Sequence, residues 1–159
     1  MRSKRYVAVS GGFDPIHVGH IRMIKEAASM GDGVIVIANS DEWLIRKKGY
    51  AFMTYKERQE ILYSIKGVVD VFEAKDADDT VCESLRLIKP AVFANGGDRK
   101  KGNVPEYKVC NELDIEMRFS VGGSEKPQSS SWLVAKVIER EKEIAEIMGY
   151  TDGFQDGKK

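Results

Sequence analysis

A chain of 159 residues suits one domain and is too short for two of ordinary size. Its 25 Lys and Arg balance 25 Asp and Glu, which argues against a surface built for nucleic acid or anionic membrane. With 42% hydrophobic residues the chain can bury a core without disulfides, and with Cys82 and Cys110 lacking metal-ligand spacing and only two histidines in the chain, an ordinary Cys/His zinc site is not expected. No apolar run approaches the ~20 residues that span a bilayer. The basic N-terminus has too short an apolar stretch for a secretory signal, so a cytoplasmic setting is expected.

The first predicted strand is Tyr6 to Ser10, rich in β-formers and closed by Gly11-Gly12. A helix follows from about Val18 to Met30, with Ile21, Ile24 and Ala28 at helical spacing. Val34 to Ala38 is an unbroken apolar run, the pattern of a strand covered on both faces. Arg46-Lys47-Lys48 is expected in the loop beyond it. Thr54 caps a helix to about Ile65, with Glu57 placed for a capping box. Val68 to Phe72 is the third strand. The next helix begins at Thr80, carries Val81, Leu85 and Ile88, and ends at Pro90. Ala91 to Ala94 is the fourth strand, a helix runs near Pro105 to Leu113, and Ile115 to Phe119 is the fifth strand. One long helix is expected from Ser129 to Met148, with Leu133, Val137, Ile144 and Met148 on one face. Residues 1–148 then form a single domain and 149–159 a frayed tail. Strands alternating with helices predict the α/β class, a doubly wound parallel sheet of about five strands with helices on both faces.

Such sheets bind ligands at the carboxyl ends of their strands. The loop after the first strand, Ser10-Gly11-Gly12-Phe13-Asp14-Pro15-Ile16-His17-Val18-Gly19-His20, holds both histidines of the protein, three residues apart at a helix mouth. That spacing places them on one face of a turn. Helix N-termini carry partial positive charge and free N–H donors, so the loop reads as a phosphate cradle. Gly11 and Gly12 would let backbone approach a ligand, and Gly19 would let a bulky group lie on the helix start. A G-x-G-x-x-G dinucleotide fingerprint is absent from this loop.

The segment GGFDPIHVGHIRMIKEA resembles the first motif of the H-x-G-H nucleotidyltransferases, here His17-Val18-Gly19-His20. It is most similar to the cytidylyltransferase-like branch, with glycerol-3-phosphate cytidylyltransferases and heptose-phosphate adenylyltransferases. The resemblance implies a Rossmann-like fold and transfer of a nucleotidyl group from a nucleoside triphosphate to a phosphorylated acceptor. It also implies that His17 and His20 touch the triphosphate, with Gly11, Gly12, Phe13, Asp14 and Gly19 forming the loop around it.

Three later segments fit the same chemistry. Arg46, Lys47 and Lys48 can offset phosphate charge, and the resemblance assigns a lysine here to the reaction, Lys48 before Lys47; Arg58 of the Tyr55-Lys56-Glu57-Arg58 helix either orients this loop or touches phosphate, with a helix-surface ion pair as its other explanation. Asn95-Gly96-Gly97-Asp98-Arg99 follows the fourth strand, where Gly97 permits close approach and Asp98 can accept from a ribose, a base or an acceptor. Arg99 stands where cytidylyltransferases carry Trp and is read as an acceptor or phosphate contact. Ser129, Ser130 and Ser131 precede the last helix and match a Ser/Thr motif that holds the terminal phosphates in the family, with Lys126 as the nearest cation.

The expected reaction is in-line attack by an acceptor phosphate or phosphonate oxygen on the α-phosphorus, releasing pyrophosphate with no covalent enzyme intermediate. Mg2+ is expected with the triphosphate, without a dedicated protein metal site, and Asp14 either helps through water or holds the loop, with a turn residue before Pro15 as its other explanation. CTP is the first choice of donor, and ATP with a sugar phosphate the alternative. A catalytically silent nucleotide sensor is the alternative of a different class. The resemblance also implies a homodimer, for which Trp43, Tyr50 and Phe52 are candidate contacts, with core burial as their other explanation. No nucleic-acid or membrane partner is expected.

Overall fold

A computed structural model describes residues 3–97, 99 and 104–149. The strands are β1 (Tyr6–Gly11), β2 (Gly33–Ala38), β3 (Val68–Glu73), β4 (Val92–Ala94) and β5 (Glu116–Arg118). They form one parallel sheet in the order β3-β2-β1-β4-β5. Because β1 is central and its neighbours are β2 and β4, the chain leaves it in opposite directions on its two sides. A crevice opens at the carboxyl edge where such a sheet reverses.

Alternation along the strands builds two cores. Val7 and Val9 of β1 with Val34, Val36 and Ala38 of β2 face one side, against Ile24 and Ala27 of α1 (Val18–Ala28) and Leu62 of α3 (Tyr55–Tyr63). Ala8, Ile37 and Phe93 face the other side, against Leu85 of α4 (Cys82–Ile88) and Val109 and Cys110 of α5 (Tyr107–Glu112). The doubly wound α/β architecture is therefore present, with helices on both faces.

Two elements differ from the sequence expectation. Arg46, Lys47 and Lys48 are not in a loop; they form the last turn of a helix, α2 (Asp41–Lys48). Ser40 Oγ accepts from Trp43 N at 3.1 Å, Asp41 and Glu42 occupy the first turn, and Gly49 ends the helix at φ 89°. Acids at the N-terminal end and cations at the C-terminal end complement the helix dipole. Leu44 is its one buried residue, so no apolar period announced it.

The second difference is at the end of the described chain, where the expected single helix is two, α6 (Ser130–Glu139) and α7 (Glu141–Ile147). Arg140 breaks them at φ −116° and ψ 26°, and its guanidinium bonds Glu143 Oε2 at 3.1 Å. The stripe expected to hold one long helix packs little: Val137 is 52% exposed and Met148 60%. Without a core beneath it, nothing enforces a continuous helix. Residues 150–159 of the expected tail lie outside the described residues. Tyr50 and Phe52 are exposed and Trp43 is half-buried. Among the described residues no helix is long and apolar enough to cross a membrane.

The two cores make a stability prediction. Ile24 is fully buried and Ile138 is 67% exposed. In urea unfolding, Ile24→Ala costs about 2–5 kcal/mol, and Ile138→Ala changes stability by less than about 0.5 kcal/mol.

Candidate active site

A cavity of about 360 Å3 opens at the carboxyl ends of β1, β4 and β5, where Ser10, Gly96 and Val121 line it. Its size is that of a small-molecule site. His17, His20, Ser129, Ser130 and Ser131 line it, Lys48, Arg99 and Lys126 supply cations, and Glu125 is the one acid lining it among the described residues.

His17 is the N-cap of α1, with extended backbone at φ −146° and ψ 177°. Its Nδ1 accepts from Gly19 N at 3.1 Å, and His20 Nδ1 accepts from His17 N at 3.2 Å. The two imidazoles thus cap the helix reciprocally, as Ser and Glu do in an ordinary capping box. An Nδ1 that accepts must be unprotonated, so each neutral ring carries its proton on Nε2. The rings stack with centroids 3.8 Å apart and 23° between planes. Gly19 makes room for this: a Cβ there would lie 2.9 Å from His17 Cε1. The group lying on the helix start is therefore the His17 ring itself.

The environment keeps both rings neutral. Burial pushes the His20 pKa down to about 3, helped by His17 and then Lys48. Burial also lowers that of His17, followed by Lys126 and Lys48. The pair is therefore a set of uncharged N–H donors beside fixed cations, suited to phosphate oxygens and unsuited to moving a proton near pH 7.

The basic turn of α2 divides its labour. Lys47 Nζ binds Asp79 Oδ2 at 2.8 Å, and Arg46 lies 3.8 Å from Asp79 Oδ1, so both lean toward the loop after β3. Lys48 lines the cavity and its charge reaches both histidines. Lys126 Nζ sits 5.5 Å from the centre of the Trp132 ring.

Other expected contacts stand behind the cavity. Arg58 is 1% exposed and its donors face backbone: Nε to Met53 O at 3.1 Å, Nη1 to Gly12 O at 2.9 Å and Asn39 O at 2.6 Å, and Nη2 to Asp41 Oδ1 at 2.8 Å. Of its two expected roles the geometry matches the orienting of the loop and not a phosphate contact, because the group is buried and four of its five N–H donors are taken by protein. Asp14 is fully buried and accepts from Phe52 N and Met53 N at 2.5 and 2.6 Å, so its carboxylate is a loop tie. Together the two side chains clasp the segment after Lys48 onto the first loop. Gly11 and Gly12 do not line the cavity: a Cβ would meet the Phe13 ring at 3.3 Å or Leu44 Cδ2 at 3.0 Å. Phe13 is itself buried, at φ 54°, with its ring 4.7 Å from that of His20.

Gly97 does meet the cavity, and its close approach is to protein: a Cβ would lie 2.5 Å from Gly123 O. That contact joins the loops after β4 and β5. Asp98 lies outside the described residues. At the serine cluster, Ser130 Oγ donates to Pro15 O at 2.6 Å, pinning the start of α6 to the first loop. The N-cap residue Ser129 makes no side-chain cap bond, so the first-turn N–H groups of α6 have no capping side chain. Ser10, Met23 and Gln128 also line the cavity and were not singled out in the sequence. Of these, only Ser10 carried a signal, as the last residue of the first predicted strand.

The histidine environment predicts a pH effect on stability. Unfolded, the His20 imidazole binds a proton below about 6.5, whereas folded it does so only near 3. The unfolded state thus holds more protons in that window, and stability falls as pH drops from 6.5, by at most about 1.4 kcal/mol per unit for this group. His20→Asn keeps an acceptor for His17 N, and its unfolding midpoint should fall less steeply than wild type between pH 6.5 and 4.5.

Comparison with known proteins identifies the family. The family described as Cytidylyltransferase-like matches residues 8–141. A bifunctional protein HldE of Aliarcobacter butzleri is 32% identical over 143 residues, covering 87% of this chain and 28% of that protein. An FAD synthase of Pyrococcus abyssi is 38% identical over 94 residues, covering 58% of this chain and 63% of its own length. The chain thus spans about a quarter of the HldE proteins it matches. A crystal structure of a lipopolysaccharide core biosynthesis protein from Thermoplasma volcanium shares the fold, with TM-score 0.61 and 22% identity over 74% of this chain and 94% of the other. The chain belongs to the cytidylyltransferase-like family of nucleotidyltransferases.

Proposed function

We propose that the protein moves a nucleotidyl group from a nucleoside triphosphate onto a phosphate oxygen of a small acceptor. The acceptor oxygen bonds the α-phosphorus as the α–β bridging bond breaks, and the electron pair leaves with pyrophosphate. An acceptor phosphate is already anionic near neutral pH, so no general base is needed. Catalysis then rests on alignment and charge stabilisation.

The observation that carries this reading is the pair of neutral imidazoles in a cation-lined cavity, whose Nε2–H groups meet no hydrogen-bond partner among the described residues. In it, His17 and His20 donate to triphosphate oxygens, Lys48 offsets charge at the α-phosphate, and the α6 mouth with Ser131 and Lys126 receives the terminal phosphates. Arg99 faces the acceptor. Mg2+ accompanies the triphosphate and neutralises part of its charge. Among the described residues no group of three or more His, Cys, Asp or Glu could hold a metal, and Asp14 is occupied by backbone, so phosphate and water are its expected ligands.

The similarity to an FAD synthase supports ATP as donor, since FAD is FMN bearing an adenylyl group. The description of the matching family supports CTP as the second reading. A homodimer in the cytoplasm belongs to the same proposal, and the exposed Tyr50 and Phe52 offer it apolar contacts.

The test is pyrophosphate release from ATP or CTP with magnesium and a panel of sugar phosphates, alcohol phosphates and FMN. Release with ATP alone supports adenylyl transfer, and with CTP alone cytidylyl transfer; none with any pair leaves the nucleotide sensor. In the productive pair, His17→Asn or His20→Asn lowers kcat about a hundred- to a thousandfold. Lys48→Ala lowers kcat/KM about tenfold or more, while Lys47→Ala, losing an exposed ion pair, stays within about twofold.

A further inference from the structure

Glu106 is a carboxylate with only 2% of its surface exposed, on the residue that leads into α5, outside the cavity. Burying such a charge is costly unless both oxygens find donors. Oε1 accepts from Val81 N, at the start of α4, at 3.1 Å. Oε2 accepts from Arg99 Nη2 at 3.1 Å. The backbone bond fixes the carboxylate to the scaffold, and the ion pair therefore fixes the guanidinium. Arg99 is one-third exposed and lines the cavity beside Gly96 and Gly97. One edge of its planar fork is held from behind, and the other edge has no partner among the described residues.

Arg99 also stands apart from the other cations. Lys48 comes from α2, and Lys126 from the segment before α6, whereas Arg99 comes from the loop after β4. A cavity that took only a triphosphate could gather its cations at the helix mouths. A guanidinium held by a buried acid on a separate loop is suited to a second anion. From this we infer that Glu106 is a positioning residue: it holds Arg99 so that the cavity binds the anionic phosphate of the acceptor as a group distinct from the triphosphate. The inference rests on the nucleotidyl-transfer reading above and adds to it the residue that sets acceptor recognition.

The experiment uses inorganic phosphate as acceptor probe and the non-cleavable α,β-methylene ATP and CTP as donor probes, titrated calorimetrically into the whole chain. Wild-type protein, saturated with whichever methylene nucleotide binds, is expected to bind phosphate. Glu106→Gln keeps an acceptor for Val81 N but removes the charge, and Arg99→Ala removes the fork. Each should weaken phosphate about tenfold, with nucleotide affinity changed less than about twofold. The double variant should be no weaker than Arg99→Ala alone, because Glu106 acts through Arg99. Glu106→Asp, which restores the charge, should recover part of the loss.

Unchanged phosphate affinity in Glu106→Gln overturns the inference, as do additive losses or an equal loss of nucleotide affinity, which would put Arg99 on the triphosphate. If Glu106→Gln fails to fold, Arg99→Ala decides: phosphate affinity within twofold of wild type overturns it, and selective loss of phosphate with Glu106→Asp partly retaining it supports it. Nucleotide binding without phosphate binding in wild type sinks this inference alone. Failure of wild type to bind either nucleotide sinks the nucleotidyl-transfer reading and this inference with it.

Discussion

The site depends on one local exchange of hydrogen bonds, in which two imidazoles cap the helix that carries them. His17 Nδ1 takes Gly19 N–H and His20 Nδ1 takes His17 N–H. Those bonds satisfy donors that a helix start otherwise leaves open. They also decide chemistry, because occupying Nδ1 commits each ring to a proton on Nε2. A serine and a glutamate could cap α1 as well, but would leave no N–H donors behind. Structure and reactivity are thus set by the same two bonds.

Keeping those rings useful requires a scaffold that holds cations near them without protonating them. Burial lowers both imidazole pKa values, and nearby cations lower them further, Lys126 and Lys48 at His17 and Lys48 at His20. Lys48 has to be held at the right place, and the Asp14–Arg58 clasp does this from behind by tying the segment after α2 to the first loop. Ser130 does the same for the mouth of α6 through Pro15. The polar groups with the deepest burial near the site are therefore ties, while the half-exposed ones face the ligand space.

This division explains what could be read from residues alone. The centre of the sheet was legible because β1, β2 and β4 are short apolar runs, and the histidine pair because two such residues three apart in a glycine-rich loop are hard to explain otherwise. The helix α2 was hidden, since one buried leucine makes no period. The burial of Arg58 was hidden because it comes from carbonyls of Gly12 and Asn39, distant in sequence. Glu106 gave no sign for the same reason: its partners, Val81 and Arg99, lie on two other segments. The α6–α7 break was invisible because the apolar stripe continues through it, and only its lack of a core separates the two helices.

The most direct test is heteronuclear NMR of protein labelled at the histidine ring nitrogens, which reports tautomer and titration for the two residues without overlap from others. The structure predicts that both rings are neutral Nε2–H tautomers at pH 7. It also predicts that both titrate below the ordinary value of about 6.5, with His20 far lower. Nδ1–H tautomers, or midpoints at or above 6.5 in the free protein, would contradict the reciprocal cap and the donor pair it creates.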